Sequence, residues 1–263
     1  MIRALYSAAS GMSAQQLNVD NIAHNLANAN TAGYKTRRAQ FQDLLYQTVV
    51  QPGSAAGQQT VVPTGLQLGL GTRASSNEIL FTQGQFSQTN NPYDVVIEGK
   101  GFFQIRRASG ELAYTRAGNF HVDRDGNVVT SDGNPIEPAI TIPANALQVS
   151  IAQDGTVSYS LPNQSAAQQA GQIQLANFPN PAGLNSIGGN LYVPTDASGD
   201  ATVGVPGGQE GLGSILQGYT EQSNVSVVDE FINLIVAQRG YEANSKVVKA
   251  ADDMYQQVNS LTR

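Results

Sequence analysis

The chain contains no cysteine and no tryptophan, and only 13% of its 263 residues are charged. Without cysteine there is no disulfide framework, no thiolate nucleophile and no thiolate-bound metal. Positive charge is also scarce. Lys and Arg total 14 against 20 Asp and Glu, a net charge of -6. A general nucleic-acid binder needs clustered cations to neutralise phosphates, and the one basic cluster, Lys35-Thr36-Arg37-Arg38, is too short to provide them. His24 and His121 are the two histidines and fall in different predicted regions, so no triad or imidazole metal cluster is marked. Long apolar runs are missing as well. Ser10, Gln15, Gln16 and Asn18 interrupt any apolar core of a secretory signal, and no stretch resembles a membrane span. The expectation is a soluble chain, or one that leaves the cytoplasm by a route that does not cleave it.

The chain does have two long apolar stripes, one at each end. With heptad position a at Leu5, Met12, Val19 and Leu26, position d falls on Ala8, Gln15, Ile22 and Ala29, and only Gln15 is polar. Gly33 lies just past this pattern and is suited to a helix stop, because glycine adopts the left-handed conformation of a C-terminal cap. The second stripe runs from Ser226 through Val227, Leu234, Ala237, Tyr241, Val248, Ala251, Tyr255 and Val258, with Glu230 and Asn244 as polar breaks. Ile232, Ile235 and Val247 widen it. The two helices are predicted to be roughly 40 and 50 Å long at 1.5 Å per residue, and to pack on each other.

Between them the period changes to two. Short alternating runs at 102–105, 119–122, 139–142, 147–151, 156–159 and 172–175 are separated by Ser109-Gly110, Asp125-Gly126, Asp132-Gly133 and Asp154-Gly155, the composition of strands joined by tight turns. The segment from Gln51 to Gly71 carries Pro52, Gly53, Pro63 and Gly65 and reads as an extended arm. The predicted fold is α+β. Residues 1–34 and 221–263 form a coiled-coil-like helical pair, 35–75 a linker arm and 76–220 an all-β region of short antiparallel strands.

Candidate chemistry is sparse. Val122 to Asn127 superficially resembles a calcium loop, but the positions that need glycine and a bidentate glutamate hold Val128 and Asn134, so a β-turn is the better reading. Asp94, Glu98, Glu111, Asp123 and Asp132 could supply the two carboxylates of a glycosidase, yet no spacing singles out a pair. Neither a P-loop nor a dinucleotide fingerprint is present. No catalytic residue, metal or cofactor is expected.

Several segments then resemble the bacterial flagellar basal-body rod and hook proteins. At the N-terminus these are residues 7–16, Asp20-Asn21-Ile22-Ala23-His24-Asn25-Leu26-Ala27-Asn28 and Thr31-Ala32-Gly33-Tyr34-Lys35. At the C-terminus they are Glu221-Gln222-Ser223-Asn224-Val225, residues 238–246 and Ala251-Asp252-Asp253-Met254. In the middle, Gly99-Lys100-Gly101-Phe102-Phe103 and Tyr114-Thr115-Arg116-Ala117-Gly118-Asn119-Phe120 resemble the family's β-domain motifs. Chain length and the segments 41–48, 51–53 and 63–69 are similar to the family's distal rod members. His24, Tyr34 and Gly240 depart from the residues common at those places, and Gly240 costs its helix about 1 kcal/mol relative to alanine.

The resemblance implies a structural subunit that polymerises helically into a hollow drive shaft between motor and hook, the rod crossing the periplasm. Its implied partners are further copies of itself, proximal rod proteins, the hook or its junction, the outer ring (bushing) proteins and the flagellar export apparatus, with export through a type III route. A proximal rod or hook-type axial protein is the nearest alternative, and a secreted glycan-acting enzyme a more distant one. On this reading Leu5, Met12, Val19, Ile22, Leu26, Leu234, Tyr241, Asn244, Val248 and Tyr255 serve helix packing and the subunit interface. Asn21, His24, Asn25, Asn28 and Asn30 are expected to face neighbours or the channel, and the arm is expected to lock neighbouring subunits.

Overall fold

A computed structural model describes residues 2–53, 63–162, 166–208 and 211–261. The chain separates into two compact units. The first comprises Met1–Ala27, Arg37–Glu78 and Ser226–Arg263, the second Asn28–Thr36 and Ile79–Val225.

The first unit is built on two helices, α1 (Ile2–Ala27) and α2 (Val227–Leu261), which pack on each other. Ser226 starts α2 as an N-cap, its Oγ accepting from the Asp229 N–H at 3.4 Å, and Asp229 and Glu230 place negative charge at the positive end of the helix dipole. The pairing is antiparallel: Gly11 lies against Asn244, Gln15 against Gly240 and Asn25 against Glu230. A Cβ on Gly11 would come within 2.8 Å of Asn244 Nδ2, and one on Gly240 within 3.3 Å of Gln15 Cδ. Close helix approach is therefore what offsets the poor helix propensity of Gly240.

The helix is shorter than its apolar pattern. It ends at Ala27 and gives way to turns over 28–33, so Gly33 is not its stop. A turn at Asn28 replaces the helical ladder instead. The Asn28 side chain accepts from Thr31 Oγ at 3.2 Å, and its carbonyl accepts from the Thr31 N–H at 3.1 Å. Gly33 does adopt φ +70°, but for a different reason: a Cβ there would lie 2.6 Å from the Ala117 backbone nitrogen in the second unit.

Where the composition suggests an extended arm, the described residues form four strands. Arg37–Asp43 pairs with Thr72–Ile79, and Tyr46–Val50 pairs antiparallel with Leu66–Gly69, Tyr46 opposite Gly69 and Val50 opposite Leu66. Gly65 sits where a Cβ would collide with Pro52 and the Val50 carbonyl. Pro52, Gly53, Pro63 and Gly65 thus flank the far end of a two-stranded ribbon. The middle of the expected arm, residues 54–62, lies outside the described residues.

The second unit centres on an antiparallel sheet in the order Asn185–Gly188, Leu191–Val193, Leu112–Thr115, Phe102–Arg106, Leu175–Asn177 and Thr202–Gly204, with Ile136–Glu137 also paired to Phe102–Arg106. Strand alternation sends Phe103, Ile105, Ala113 and Leu175 into one core and Phe102, Tyr114, Ala176 and Tyr192 into another. Burial on both faces explains why Phe102-Phe103-Gln104-Ile105 is nearly continuous in apolar character. Edge-to-face ring pairs, Tyr114 on Phe178 at 4.8 Å and Phe81 on Phe102 at 5.2 Å, fix the smaller core. A three-stranded sheet of Gln148–Ile151, Thr156–Ser160 and Gln168–Gln172 completes the unit. The run 172–175 is split between two sheets, and 139–142 contributes only an isolated bridge through Thr141. All four glycine turns form, with Gly110, Gly126, Gly133 and Gly155 at positive φ.

One buried ion cluster holds three distant segments of the second unit together. Glu221 receives Lys35 Nζ at 2.6 Å on one oxygen and Arg116 Nε at 3.0 Å on the other, and the side chains of Lys35, Arg116 and Glu221 are 0%, 5% and 1% exposed. Lys35 also donates to the Thr82 carbonyl and Gly84 N–H to Glu221. Burial lowers the pKa of Lys35, opposed by the charge and hydrogen bond of Glu221. Removing one partner of such a cluster strands the others without water. Glu221→Gln is therefore expected to cost about 3–5 kcal/mol. Lys35→Met should cost less, because Glu221 keeps Arg116 and Gly84. Urea unfolding of the variants checks the order; equal or reversed losses would refute this account of the cluster.

Candidate assembly surfaces

The inner side of α1 is covered within its own unit. Ala8, Ala14 and Ile22 are buried, and Leu5, Met12, Val19 and Leu26 are half-buried. On α2 the inward line runs Glu230, Leu234, Ala237, Asn244, Val248, Ala251 and Tyr255, all buried or half-buried. Tyr241 belongs to the same heptad line yet remains exposed, at the mouth of a groove of about 400 Å³ that it shares with Val19, Gln16, Gln238 and Glu242.

A heptad seam covers only one stripe of a helix, and α2 has more than one. Val228, Phe231, Ile232, Ile235 and Val236 lie on its exposed side, Val228 at 69% and Val236 at 65%. Ile232 and Ile235, which seemed to widen the packed stripe, in fact form this second surface. The ribbon adds another: Leu45, Tyr46, Val49, Leu66 and Leu68 are all exposed. Contiguous apolar surface of this kind marks interaction sites, and a two-stranded ribbon is marginal without a partner. Among the described residues no helix is long and apolar enough to cross a membrane.

The asparagines divide differently from the expectation. His24 and Asn30 are exposed, and Asn28 is half-buried in its own turn. Asn21 and Asn25 are buried within the unit, because both lie on the side of α1 turned toward its own strands and α2. Asn21 Oδ1 accepts from Asn77 Nδ2 at 2.8 Å. Asn25 is 2% exposed and pairs with the backbone of Arg37 at both ends, accepting from its N–H at 2.9 Å and donating to its carbonyl at 2.8 Å. It also donates to Glu230 Oε1 at 3.2 Å. This three-way grip ties α1 to a strand and to α2. Lys35, Arg116 and Glu221, which composition did not single out, lie inside the Thr-Ala-Gly-Tyr-Lys, Tyr-Thr-Arg-Ala-Gly-Asn-Phe and Glu-Gln-Ser-Asn motifs. The carboxylates considered for catalysis do not converge: Asp94 is buried and accepts from Asn91 in a turn, whereas Glu98 is exposed.

Two outcomes follow for the seam. Asn25→Leu leaves the Arg37 N–H and carbonyl without their partner and should destabilise the monomer itself by about 1–3 kcal/mol, with Asn28→Leu milder. Burial raises the pKa of Glu230 above its ordinary 4.5, outweighing the lowering by Asn25, with the Asp229 charge adding to the rise. The folded carboxyl therefore binds a proton more tightly than the unfolded one. Its contribution is present at pH below 4.5 and is lost as pH rises through the raised value. Glu230→Gln should flatten that part of the stability profile and match or exceed the wild type at neutral pH. Thermal melts across pH check it; an unchanged slope would contradict the assignment.

Three family descriptions match the chain in order: "Flagella basal body rod protein" over residues 5–35, "Flagellar hook protein FlgE/F/G D1 domain" over 96–159 and "Flagellar basal body rod FlgEFG protein C-terminal" over 216–261. The first covers most of α1, the second three of the main sheet's seven strands, and the third all of α2. The chain is 51% identical over 261 residues to the flagellar basal-body rod protein FlgG of Caulobacter vibrioides, spanning 99% of each chain. It is 45% identical over 265 residues to FlgG of Borreliella burgdorferi and 39% over 267 residues to FlgG of Bacillus subtilis, spanning the whole of each chain. Likeness of this extent, carried through both helices and the β region, makes the chain a member of the flagellar basal-body rod protein family.

Proposed function

We propose that this chain is the structural subunit of the distal rod, polymerising helically into a hollow shaft that carries torque from the motor to the hook. Full-length similarity to FlgG proteins carries the proposal, and the uncovered apolar side of α2 supports it, since that side is stable only against other copies. The role is mechanical rather than catalytic. Further copies of the chain, proximal rod proteins, the hook or its junction, the outer ring proteins and the export apparatus are the partners it requires. Delivery through the flagellar export channel suits a chain with no disulfide to form and helices that gain much of their stability on assembly.

In this role Leu5, Met12, Val19, Ile22, Leu26, Leu234, Asn244, Val248 and Tyr255 hold the subunit's own helix pair, while Tyr241 and the outward residues of α2 meet neighbours. The ribbon, including its far end at Pro52, Gly53, Pro63 and Gly65, joins adjacent subunits and stiffens the shaft. The double variant Ile232→Asp and Ile235→Asp tests the assignment in a host lacking its own subunit. Both side chains are exposed in the monomer, so helix content should be retained while electron microscopy of basal bodies shows rods that stop before the distal segment. Distal rods of normal length would reject it.

A further inference from the structure

The buried ion cluster of the second unit sets two cations against one carboxylate. Lys35 and Arg116 share the single carboxylate of Glu221, and all three side chains are at most 5% exposed. The remaining acceptors are carbonyls: Arg116 Nη1 donates to Gly99 and Gly101, and Nη2 to Gly99 at 3.0 Å. Carbonyls fix the guanidinium but do not cancel its charge. One N–H of Nη2 is left without an acceptor among the described residues.

Arg116 lines a cavity of about 320 Å³ in which Lys100 is the other charged residue and no acidic side chain takes part. Its lining is mixed: Phe81, Phe102, Phe178 and Pro181 supply an apolar side, with Phe81 and Phe102 edge to face at 5.2 Å, and Asn177 and the backbone at Gly99 and Gly101 a polar one. The one open N–H of Arg116 can donate to a single anion oxygen, and the apolar part of the lining favours a short hydrocarbon stem over a fully hydrated ion. A compact carboxylate meets both conditions.

We infer that this cavity is an anion site that takes a carboxylate on a short apolar stem, with Arg116 as the fixed donor and Lys100 as the outer charge. The site goes beyond the mechanical role proposed above. The carboxylate has two possible sources, a soluble organic acid or an Asp or Glu side chain from a second copy of this chain, which itself carries a net charge of -6.

Full-length protein titrated with sodium propionate, against sodium chloride at equal ionic strength, tests the site. Propionate should raise the melting temperature saturably. Phe81→Trp provides the sole indole in a chain that lacks tryptophan, and its emission should change over the same range. Lys100→Glu, which leaves the buried cluster untouched, should weaken the response about tenfold. Sedimentation separates the sources. If a second copy supplies the carboxylate, propionate competes with self-association and Lys100→Glu weakens it. If the ligand is soluble, propionate binds while association is unaffected. No saturable response beyond chloride in either the wild-type melt or the Phe81→Trp emission, together with self-association indifferent to Lys100→Glu, would overturn the inference.

Discussion

One helix can cover only one stripe of another, and the first unit has more apolar helix surface than a single pairing can cover. The α1–α2 seam uses Glu230, Leu234, Ala237, Asn244, Val248 and Ala251, while Phe231, Ile232, Ile235 and Val236 remain in water. At about 25 cal/mol per Å² of apolar area, several such side chains represent a substantial driving force toward association. The seam is also deliberately mixed. Asn25 and Glu230 pin the antiparallel register with directional bonds, as buried polar residues do in coiled coils, and Gly11 and Gly240 allow close approach. The pair is thus specific in register but incomplete in burial, which is the combination a polymer subunit needs.

The second unit has a different economy. Its central strand, Phe102–Arg106, is buried on both faces, and its two cores are closed by branched and aromatic side chains. Segments far apart in sequence meet at Glu221, which receives Lys35 from near the N-terminus and Arg116 from the middle of the chain. A buried cluster of this sort adds little net stability over an apolar equivalent but penalises any arrangement that separates its members. The short stretch Asn28–Thr36 is thereby committed to the β-rich unit rather than to the helix it follows.

Much of this was legible in the residues. Heptad spacing located both helices, and each Asp-Gly or Ser-Gly pair located a turn. Four things were not. Apolar spacing continues through Ala29, whereas the turn bonds between Asn28 and Thr31 that follow the end of α1 are invisible to periodicity. The ribbon was hidden because Pro52, Gly53, Pro63 and Gly65 suggest a linker, although Leu66, Leu68 and Leu70 already alternate. Asn25 looked like an outward amide because polarity alone does not say whether an amide faces water or a buried backbone. The ion cluster was present only as three motif residues with no local spacing to connect them.

Hydrogen exchange measured on dilute monomer and on assembled polymer tests the central claim, that the helix pair is completed by neighbouring copies. The account predicts a large gain in amide protection across Val228–Val236 on assembly, with little change in Phe102–Arg106, whose strand is already buried. Equal protection of the α2 segment in both states, or a gain confined to the β-rich unit, would contradict it.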